Sequence, residues 1–369
     1  MTARVVVNLT WIAPGRVGGS EEYLTRQLAG FDDPGFDPEL VCTERFADAH
    51  PELVERFPIR RSPLRRDHRG LRIAMEHSWL AAVSRGADVV HHGGGTAPLL
   101  GPRPVVLTVH DLQYVRFPEY FRSVRRRYLA AMMPRSVRRA AVIATPTSYV
   151  RTRVIERFGV DPDRVVVVPH GVPDIVVDAD AVGGVRDRYG LGDRPYVVYP
   201  AITHPHKGHA VLVDMLDHLD DVMVVLIGGT GSAEAGLRAL IDASPNGRRV
   251  VRAGRVPDAD RDALLAGASA LAFPSEYEGF GAPLVEAMSL GVPVVCSDAS
   301  AVREVAADAA IVVDTADGEA WADAIGRAAL ERDVLVDRGH RRRRAFALSV
   351  SGAALADAYR LAVDLGGRS

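Results

Sequence analysis

Cysteine, lysine and long apolar runs are scarce in this chain of 369 residues. Its two cysteines, Cys42 and Cys296, lie far apart, so the sequence predicts neither a disulfide framework nor a cysteine-rich metal site and fits a reducing compartment. The first apolar run, Val5 to Leu9, is too short for the core of a signal peptide. No stretch approaches the roughly 20 apolar residues of a membrane-spanning helix. We therefore expect a cytoplasmic protein.

Positive charge is carried almost entirely by arginine, and the formal net charge is −2, so we expect no nucleic-acid partner. Among the 45 basic residues, Lys207 is the only lysine. Arginine replaces lysine at little cost on a solvated surface, but not where a compact ammonium on a narrow stem is needed. Lys207 is therefore a candidate functional residue, although chance survival of a neutral lysine is the alternative.

Short runs of β-branched residues alternate with helical patterns along the whole chain. Most runs are apolar on both faces, which is typical of buried parallel strands, and repeated strand–helix units predict doubly wound α/β domains. We predict one helix at Ser148–Phe158, with Ser148 as its N-cap. The predicted strands are 4–9, 39–43, 88–91, 105–110, 142–145, 165–169, 196–199, 223–227, 250–253, 270–273, 292–296 and 310–313.

The length exceeds what a single hydrophobic core usually supports, which predicts two domains. Residues 173–194 contain no strong strand pattern, so the boundary is expected there. We predict a first Rossmann-like domain at 1–175 and a second at 190–345. A terminal helix, at about 346–369, is expected to pack back on the first domain.

Residues 273–288 form the most informative segment. A buried run is followed by the loop Gly279-Phe280-Gly281 and then by Pro283, a residue favoured in a first helical turn. Such a loop exposes free amides at a helix N-terminus, where the amides and the helix dipole favour bound phosphate. Glu278 and Glu286 bracket this point, where carboxylates can accept hydrogen bonds from a ribose diol and from a sugar. The alternative is a capped helix with solvated glutamates.

In this segment the chain resembles retaining glycosyltransferases of family 4 (GT4), which have the GT-B fold of two Rossmann-like domains facing across a cleft. Glu278-x7-Glu286 matches the E-x7-E motif of that family, and Gly291 to Asp298 matches its usual continuation. The resemblance covers nearly the whole chain and is strongest over 196–314.

The resemblance implies a role for each matching residue. Glu286 is expected to bind the nucleotide ribose, and Glu278 to contact the donor sugar. Independently of the resemblance, we expect base recognition from the backbone near Arg255 and Val256. The distal phosphate is expected on the backbone that follows Gly279 and Phe280, namely Gly281, Ala282, Pro283 and Leu284.

Lys207 lies in the segment Tyr199 to Gly208, which follows a predicted strand and opens a helix. In similar enzymes an equivalent lysine binds the donor diphosphate, so its charge would stabilise the leaving group. Many relatives also carry an arginine a few residues earlier, where this chain has Ile202-Thr203-His204. Thr203 is our candidate for the missing second donor.

Two segments of the first domain are further candidates. His110, in Thr108 to Tyr114, follows a predicted strand and could be a strand-end cap; the resemblance implies that it contacts and positions the donor sugar. With Lys207 and Glu278 it completes the residues assigned to catalysis. Gly18 and Gly19 lie between the first strand and the first helix. They form a tight turn or, as the resemblance implies, a loop beside the donor phosphates and the acceptor.

Arginine clusters occur in the first domain, interleaved with apolar residues at 128–133. Such runs are either solvated faces or a basic surface that contacts an anionic membrane, and the second would suit a lipid-linked acceptor. The run Arg341 to Arg344 is interpreted as a helix face. The clusters are Arg60, Arg61, Arg65 and Arg66, then Arg122, Arg125, Arg126 and Arg127, then Arg135, Arg138 and Arg139.

We expect no cofactor and no metal requirement. The Asp-x-Asp sequences at 178–180 and 258–260 fall in the presumed linker and at a helix start. Lys207 and the helix amides would neutralise the diphosphate instead. The resemblance implies retention at the anomeric carbon by front-face attack, with the leaving phosphate taking the acceptor proton.

The predicted function is transfer of a hexose from a nucleotide-diphosphate sugar to a glycan or a polyprenyl- or lipid-linked acceptor, in polysaccharide or cell-envelope synthesis. Similarity around His110 to bacterial mannosyl- and rhamnosyltransferases favours GDP-mannose, with UDP- and dTDP-sugars as competitors. The alternatives are a non-hydrolysing nucleotide-sugar epimerase of the same fold and a catalytically idle binding protein.

Overall fold

Two parallel β-sheets organise the chain, one in each of two compact units. The structure is a computed structural model and describes residues 2–15, 19–64, 69–314 and 316–367. Unit 1 comprises 1–171 and 346–369, and unit 2 comprises 172–345. For comparison, the domain boundaries predicted from the sequence are 175, 190 and about 346. No helix within the described ranges is both long and apolar enough to cross a membrane.

The sheet of unit 1 runs in the order β3-β2-β1-β4-β5-β6-β7, with every described pairing parallel. Its core is built from strand residues such as Val5 and Val7 on one face, together with residues of the last helix. The strands are β1 Ala3–Asn8, β2 Phe36–Cys42, β3 Ile59–Arg61, β4 Val89–His92, β5 Val105–Thr108, β6 Val142–Thr145 and β7 Val165–Val167.

The sheet of unit 2 has the order β10-β9-β8-β11-β12-β13, and its described pairings are also parallel. The pattern of alternating strands and helices therefore predicts the α/β class correctly in both units. The strands are β8 Tyr196–Pro200, β9 Met223–Ile227, β10 Val250–Gly254, β11 Ala270–Phe273, β12 Val294–Ser297 and β13 Ile311–Val313.

Helices connect the strands and cover both sheets. Unit 1 contains α1 Gly19–Gly30, α2 Glu44–Ala49, α3 Pro51–Arg56, α4 Arg69–Met75, α5 Ala81–Val83, α6 Gln113–Arg116, α7 Ser123–Arg139 and α8 Ser148–Phe158. Unit 2 contains α9 Ala179–Arg188, α10 His209–Asp214, α11 Glu234–Ala243, α12 Asp258–Ala266, α13 Ala282–Ser289, α14 Ser300–Ala306, α15 Gly318–Leu330 and α16 Arg332–Arg343. The chain returns to unit 1 with α17 Leu348–Gly366.

Two local expectations are corrected by the structure. The N-cap of α8 is Thr147, not Ser148, because the Thr147 hydroxyl accepts the Val150 amide at 3.3 Å. Strand β3 has no counterpart in the sequence prediction. It is a three-residue edge strand with two exposed arginines, so it lacks the apolar pattern by which buried strands are found.

The C-terminal helix α17 packs against α1 at a point where both helices carry glycine. A Cβ atom at Gly352 would lie 2.0 Å from the Gly30 carbonyl oxygen, and one at Gly30 would lie 1.9 Å from that of Leu348. Tyr359 of α17 is fully buried and bonds through its hydroxyl to His91 of β4 at 2.9 Å. The last helix is thus part of the core of unit 1.

We predict that Gly352→Ala destabilises unit 1 by at least about 2 kcal/mol, since the added methyl group meets backbone that cannot move aside. Thermal and denaturant unfolding would measure the loss. Gly326→Ala is the matched helical control, because a Cβ there meets nothing within 4 Å. It should be neutral or stabilising by up to about 1 kcal/mol. Equal stability of the two variants would contradict the close helix contact.

Candidate functional site

In unit 2 the strand order reverses between β8 and β11, which are neighbours in the sheet. Ligands of open α/β sheets bind outside the carboxyl ends of the strands at such a switch point. The loop after β8 carries Lys207, and the loop after β11 carries Glu278. The topology therefore brings together two motifs that lie 71 residues apart in the chain.

The Lys207 loop is held in a compact form. Pro205–Lys207 is a single 3₁₀ turn, and Gly208 ends it in the left-handed region with φ 66°. A Cβ at Gly208 would lie 2.5 Å from the Pro274 carbonyl oxygen, so glycine allows this loop to pack on the segment that follows β11. The Tyr199 hydroxyl also donates to the Lys207 carbonyl at 2.9 Å.

Lys207 and Glu278 form an ion pair in which the ammonium donates to Glu278 Oε1 at 2.5 Å. Both side chains are largely buried, with 18% and 16% of their surfaces exposed. Partial burial makes the pair less screened by salt than an exposed pair. Glu278 thus holds the only lysine of the chain against the loop that opens α13.

Helix α13 begins as the glycine-rich segment predicts. Gly281 precedes it with φ 92°, and Pro283 lies in its first turn. The Leu284 amide donates to the Gly281 carbonyl at 3.0 Å, whereas the amides of Gly281 and Ala282 donate to no described residue. Of the four residues predicted to hold phosphate, Pro283 has no amide hydrogen and the Leu284 amide already donates to Gly281, so only Gly281 and Ala282 could act as donors there.

The rest of the E-x7-E motif is mostly buried. Phe280 is buried in the loop after Gly279, and Glu286 lies one turn into α13 with only 3% of its surface exposed. Glu286 is close enough to Asp262 of α12 for its negative charge to add to the effect of burial, which raises the pKa of Asp262. Val256 is half-buried in the loop after β10.

Thr203 is fully buried, and its hydroxyl donates to Glu234 Oε2 at 2.7 Å. The one proton of this hydroxyl is therefore used inside the protein. Its oxygen also accepts a hydrogen bond from Arg252 at 3.0 Å. Arg252, which the sequence analysis did not single out, is one arginine among 44 and lies on β10 with no motif around it.

In unit 1, His110 lies two residues beyond β5, at the same sheet edge as the loop after β4. Its Nε2 donates to the Gly93 carbonyl at 2.8 Å, and burial lowers its pKa. The neutral ring therefore carries its proton on Nε2, which leaves Nδ1 as an acceptor. Gly19 opens α1, while Gly18 lies outside the described residues.

The Asp-x-Asp sequences at 178–180 and 258–260 do not lie at the switch point. Asp178 caps α9 by accepting the Asp180 amide at 3.2 Å, and Asp258 opens α12, where it pairs with Arg261. Among the described residues, no group of three histidine, cysteine or carboxylate side chains is placed to hold a metal ion. Metal independence stays a prediction.

Two buried histidines end β4 beside Gly93. Burial lowers the pKa of both His91 and His92 to about 3. His91 bonds to Tyr359 and to Thr108, at 2.9 and 2.8 Å. Both rings are therefore neutral in the folded protein at physiological pH.

We predict acid destabilisation of unit 1. The unfolded chain binds these two protons near pH 6.5 and the folded one does not, so stability present above pH 6.5 is lost as pH falls toward 3. From pH 7.5 to 5 the unfolding free energy should drop by about 2 kcal/mol per histidine. Urea unfolding at several pH values measures the slope. His91→Gln should flatten it and the exposed-site variant His218→Gln should not; an unchanged slope in His91→Gln would contradict the assignment.

Comparison with known families covers most of the chain. Residues 185–344 match the family "Glycosyl transferases group 1", and residues 17–174 match "Glycosyltransferase Family 4". The chain belongs to the glycosyltransferases. The two matched segments correspond closely to unit 2 and to the first part of unit 1.

Bacterial mannosyltransferases are among the relatives of this glycosyltransferase. O-antigen chain mannosyltransferase B of Escherichia coli is 29% identical over 269 residues, which cover 71% of this chain and 70% of the relative. A GDP-mannose-dependent alpha-(1-6)-phosphatidylinositol monomannoside mannosyltransferase of Mycolicibacterium smegmatis is 32% identical over 229 residues. That match covers 58% of this chain and 56% of the relative.

Solved structures agree on the fold. Anabaena HepE in complex with UDP and glucose superposes with a TM-score of 0.78 at 18% identity, covering 96% of this chain and 98% of HepE. At this identity the similarity establishes the fold alone. With its two parallel-sheet units, the glycosyltransferase has the GT-B fold.

Proposed function

We propose that this glycosyltransferase moves a hexose from a nucleotide-diphosphate sugar to a glycan or lipid-linked acceptor, with retention at the anomeric carbon. One observation carries the proposal. Lys207, Glu278 and the N-terminus of α13 meet at the switch point of unit 2. An ammonium beside a helix N-terminus is suited to a diphosphate, and adjacent carboxylates are suited to hydroxyl groups.

Each residue of the group has a step in the proposed reaction. The bond from the anomeric carbon to the diphosphate oxygen breaks, and negative charge grows on that oxygen. The Lys207 ammonium and the amides of Gly281 and Ala282 stabilise this charge. The new bond forms between the anomeric carbon and the acceptor oxygen, and the acceptor proton passes to the leaving phosphate.

The carboxylates orient the donor. Glu286 accepts from the ribose hydroxyls, and Glu278 accepts from a hydroxyl of the transferred sugar while it fixes Lys207. The backbone near Val256 contacts the base. The positioning role of His110 and the phosphate role of Gly18 and Gly19 remain as the resemblance implies. No resident cofactor or metal is part of this proposal, because the positive charge comes from Lys207 and the helix.

GDP-mannose is the proposed donor, with UDP- and dTDP-sugars as competitors. Support comes from relatives that are named mannosyltransferases, one of them GDP-mannose-dependent. Against this, HepE was solved with UDP and glucose. The epimerase alternative has no comparable support, since the relatives named above are transferases.

Helix α7 supplies a surface suited to a lipid-linked acceptor. It carries six arginines and no acidic residue, and Val124 at its start is 72% exposed. Near its other end Arg139 donates to the carbonyls of Leu99 and Gly101, which holds the 73%-exposed Leu100 beside the helix. Exposed apolar groups among arginines are typical of proteins that bind anionic membrane surfaces.

The catalytic prediction concerns Lys207. Lys207→Met should lower the kcat/KM for donor turnover at least about 100-fold, because the leaving diphosphate loses its cation. Glu286→Gln should weaken donor binding. A thermal-shift screen of GDP-, UDP- and dTDP-sugars selects the donor, and release of the nucleoside diphosphate measures turnover. Arg327→Met, which removes an exposed cation of α15, is the control and should match the wild type.

Three outcomes would contradict this proposal. Retained turnover in Lys207→Met would show that the diphosphate does not depend on the ammonium. Loss of turnover in EDTA, restored by a divalent ion, would show that a metal carries the charge. Isomerisation of the donor without transfer would favour the epimerase.

The membrane prediction concerns the exposed cations of α7. Replacing Arg125, Arg126 and Arg127 together by Gln should weaken binding to phosphatidylglycerol vesicles about 100-fold, at about 1 kcal/mol per arginine. Vesicle co-sedimentation at 0.1 and 0.5 M salt measures it, and salt should reduce wild-type binding. Replacing the exposed arginines of α16 and its end, Arg332, Arg341 and Arg344, is the matched control. Equal effects of the two triple variants would mean that α7 is an ordinary solvated face.

A further inference from the structure

Arg252 of β10 ties together the loops that follow two neighbouring strands. Its guanidinium donates to Thr203 Oγ1 at 3.0 Å after β8, and to the Gly229 carbonyl at 3.3 Å after β9. It also pairs with Glu234 Oε2 at 3.0 Å, at the start of α11. One side chain therefore joins the end of β10, the start of α11 and the loop that leads to Lys207.

This contact set is largely buried, and the charges of Arg252 and Glu234 offset each other. The side chains of Arg252 and Glu234 are 13% and 11% exposed, and Thr203 is fully buried. Hydrogen bonding from Arg252 is the main cause that lowers the pKa of Glu234 to about 2, so the pair stays ionised. The planar guanidinium group of arginine can donate to several oxygens at fixed angles, whereas the ammonium of lysine cannot reproduce that geometry.

A displacement of Thr203 would also displace Lys207, because the segment between them is short and is held by its own hydrogen bonds. The His204 amide donates to the Ile202 carbonyl at 2.8 Å, and the Lys207 amide donates to the His204 carbonyl at 3.0 Å. The far end of the segment is fixed, since Gly208 packs on Pro274. The Lys207 loop is therefore held at both ends. At its beginning the Thr203 backbone bonds to Gly229 and Ala233, and Arg252 adds the contact that fixes the Thr203 side chain.

We propose that Arg252 is a positioning residue, which acts through Thr203 to hold the Lys207 ammonium in place for the donor diphosphate. The inference rests on the proposed function of Lys207. Many similar enzymes have an arginine where this chain has Ile202-Thr203-His204. We infer that here Arg252 of β10 supports Lys207 from another strand, and that it does not bind the phosphate itself.

Binding of GDP, UDP and dTDP by titration calorimetry tests this, using for each variant the diphosphate that binds the wild type most tightly. Arg252→Met should weaken binding about 10-fold and Lys207→Met about 30-fold, while the double variant should be no weaker than Lys207→Met. Arg238→Met is the matched control. Arg238 bonds the other oxygen of Glu234 at 3.0 Å but does not contact Thr203, so its loss should leave binding unchanged.

Removing Arg252 leaves the buried charge of Glu234 with less positive charge beside it, which can destabilise the fold. Thermal melting is therefore measured for every variant. Two further variants keep the test decisive if Arg252→Met does not fold. Arg252→Lys retains the charge and should restore binding only in part. Thr203→Val retains the Arg252–Glu234 pair and removes the tether; its effect should also disappear in the Lys207→Met background.

The outcomes separate the two proposals. Additive losses in the double variants, or an unchanged affinity in a folded Arg252 variant, would overturn the positioning role while the role of Lys207 stands. Unchanged affinity in Lys207→Met, or no binding of any diphosphate by the wild type, would instead remove the proposed function, and the positioning role with it.

Discussion

The ion pair between Lys207 and Glu278 is the contact on which the candidate site of unit 2 depends. It joins the two loops at the point where the strand order reverses, and it does so with the only lysine of the chain. Around it the backbone is shaped by two left-handed glycines, Gly208 and Gly281, which let one loop pack closely and start a helix in the other. A charged contact of this kind requires the sheet to be complete, because its partners come from β8 and β11.

The features that could be predicted from the sequence are those encoded in continuous segments of the chain. Buried stretches of parallel strand, such as residues 5–7 of β1 or Met223–Ile227, are apolar on both faces, so their positions follow from the runs of apolar residues. Glu278, Gly281, Pro283 and Glu286 lie in one continuous motif, and their local structure agrees with the prediction. Lys207 stands out because it is the only lysine of the chain and because its segment, Tyr199 to Gly208, resembles one of the family.

What could not be predicted depends on contacts between distant segments. Arg252 is indistinguishable from other arginines until the sheet places it beside Thr203 and Glu234. The pairing of Thr203 with Glu234, which occupies its hydroxyl proton, likewise spans 31 residues. Strand β3 is short and charged, and the choice between Thr147 and Ser148 as cap depends on one backbone position. Each of these is a geometric detail that periodicity does not encode.

The return of the chain to unit 1 through α17 has a consequence for the order of events during synthesis. Unit 2 is continuous, so all its strands are available once residue 345 has left the ribosome, whereas the nascent unit 1 still lacks a helix whose residues line its core. The rings of Phe31 and Phe36, which pack against Tyr359, stay uncovered until that residue has been synthesised. Unit 1 is therefore translated first but completes its folding last. Part of its apolar core stays exposed while unit 2 is being synthesised.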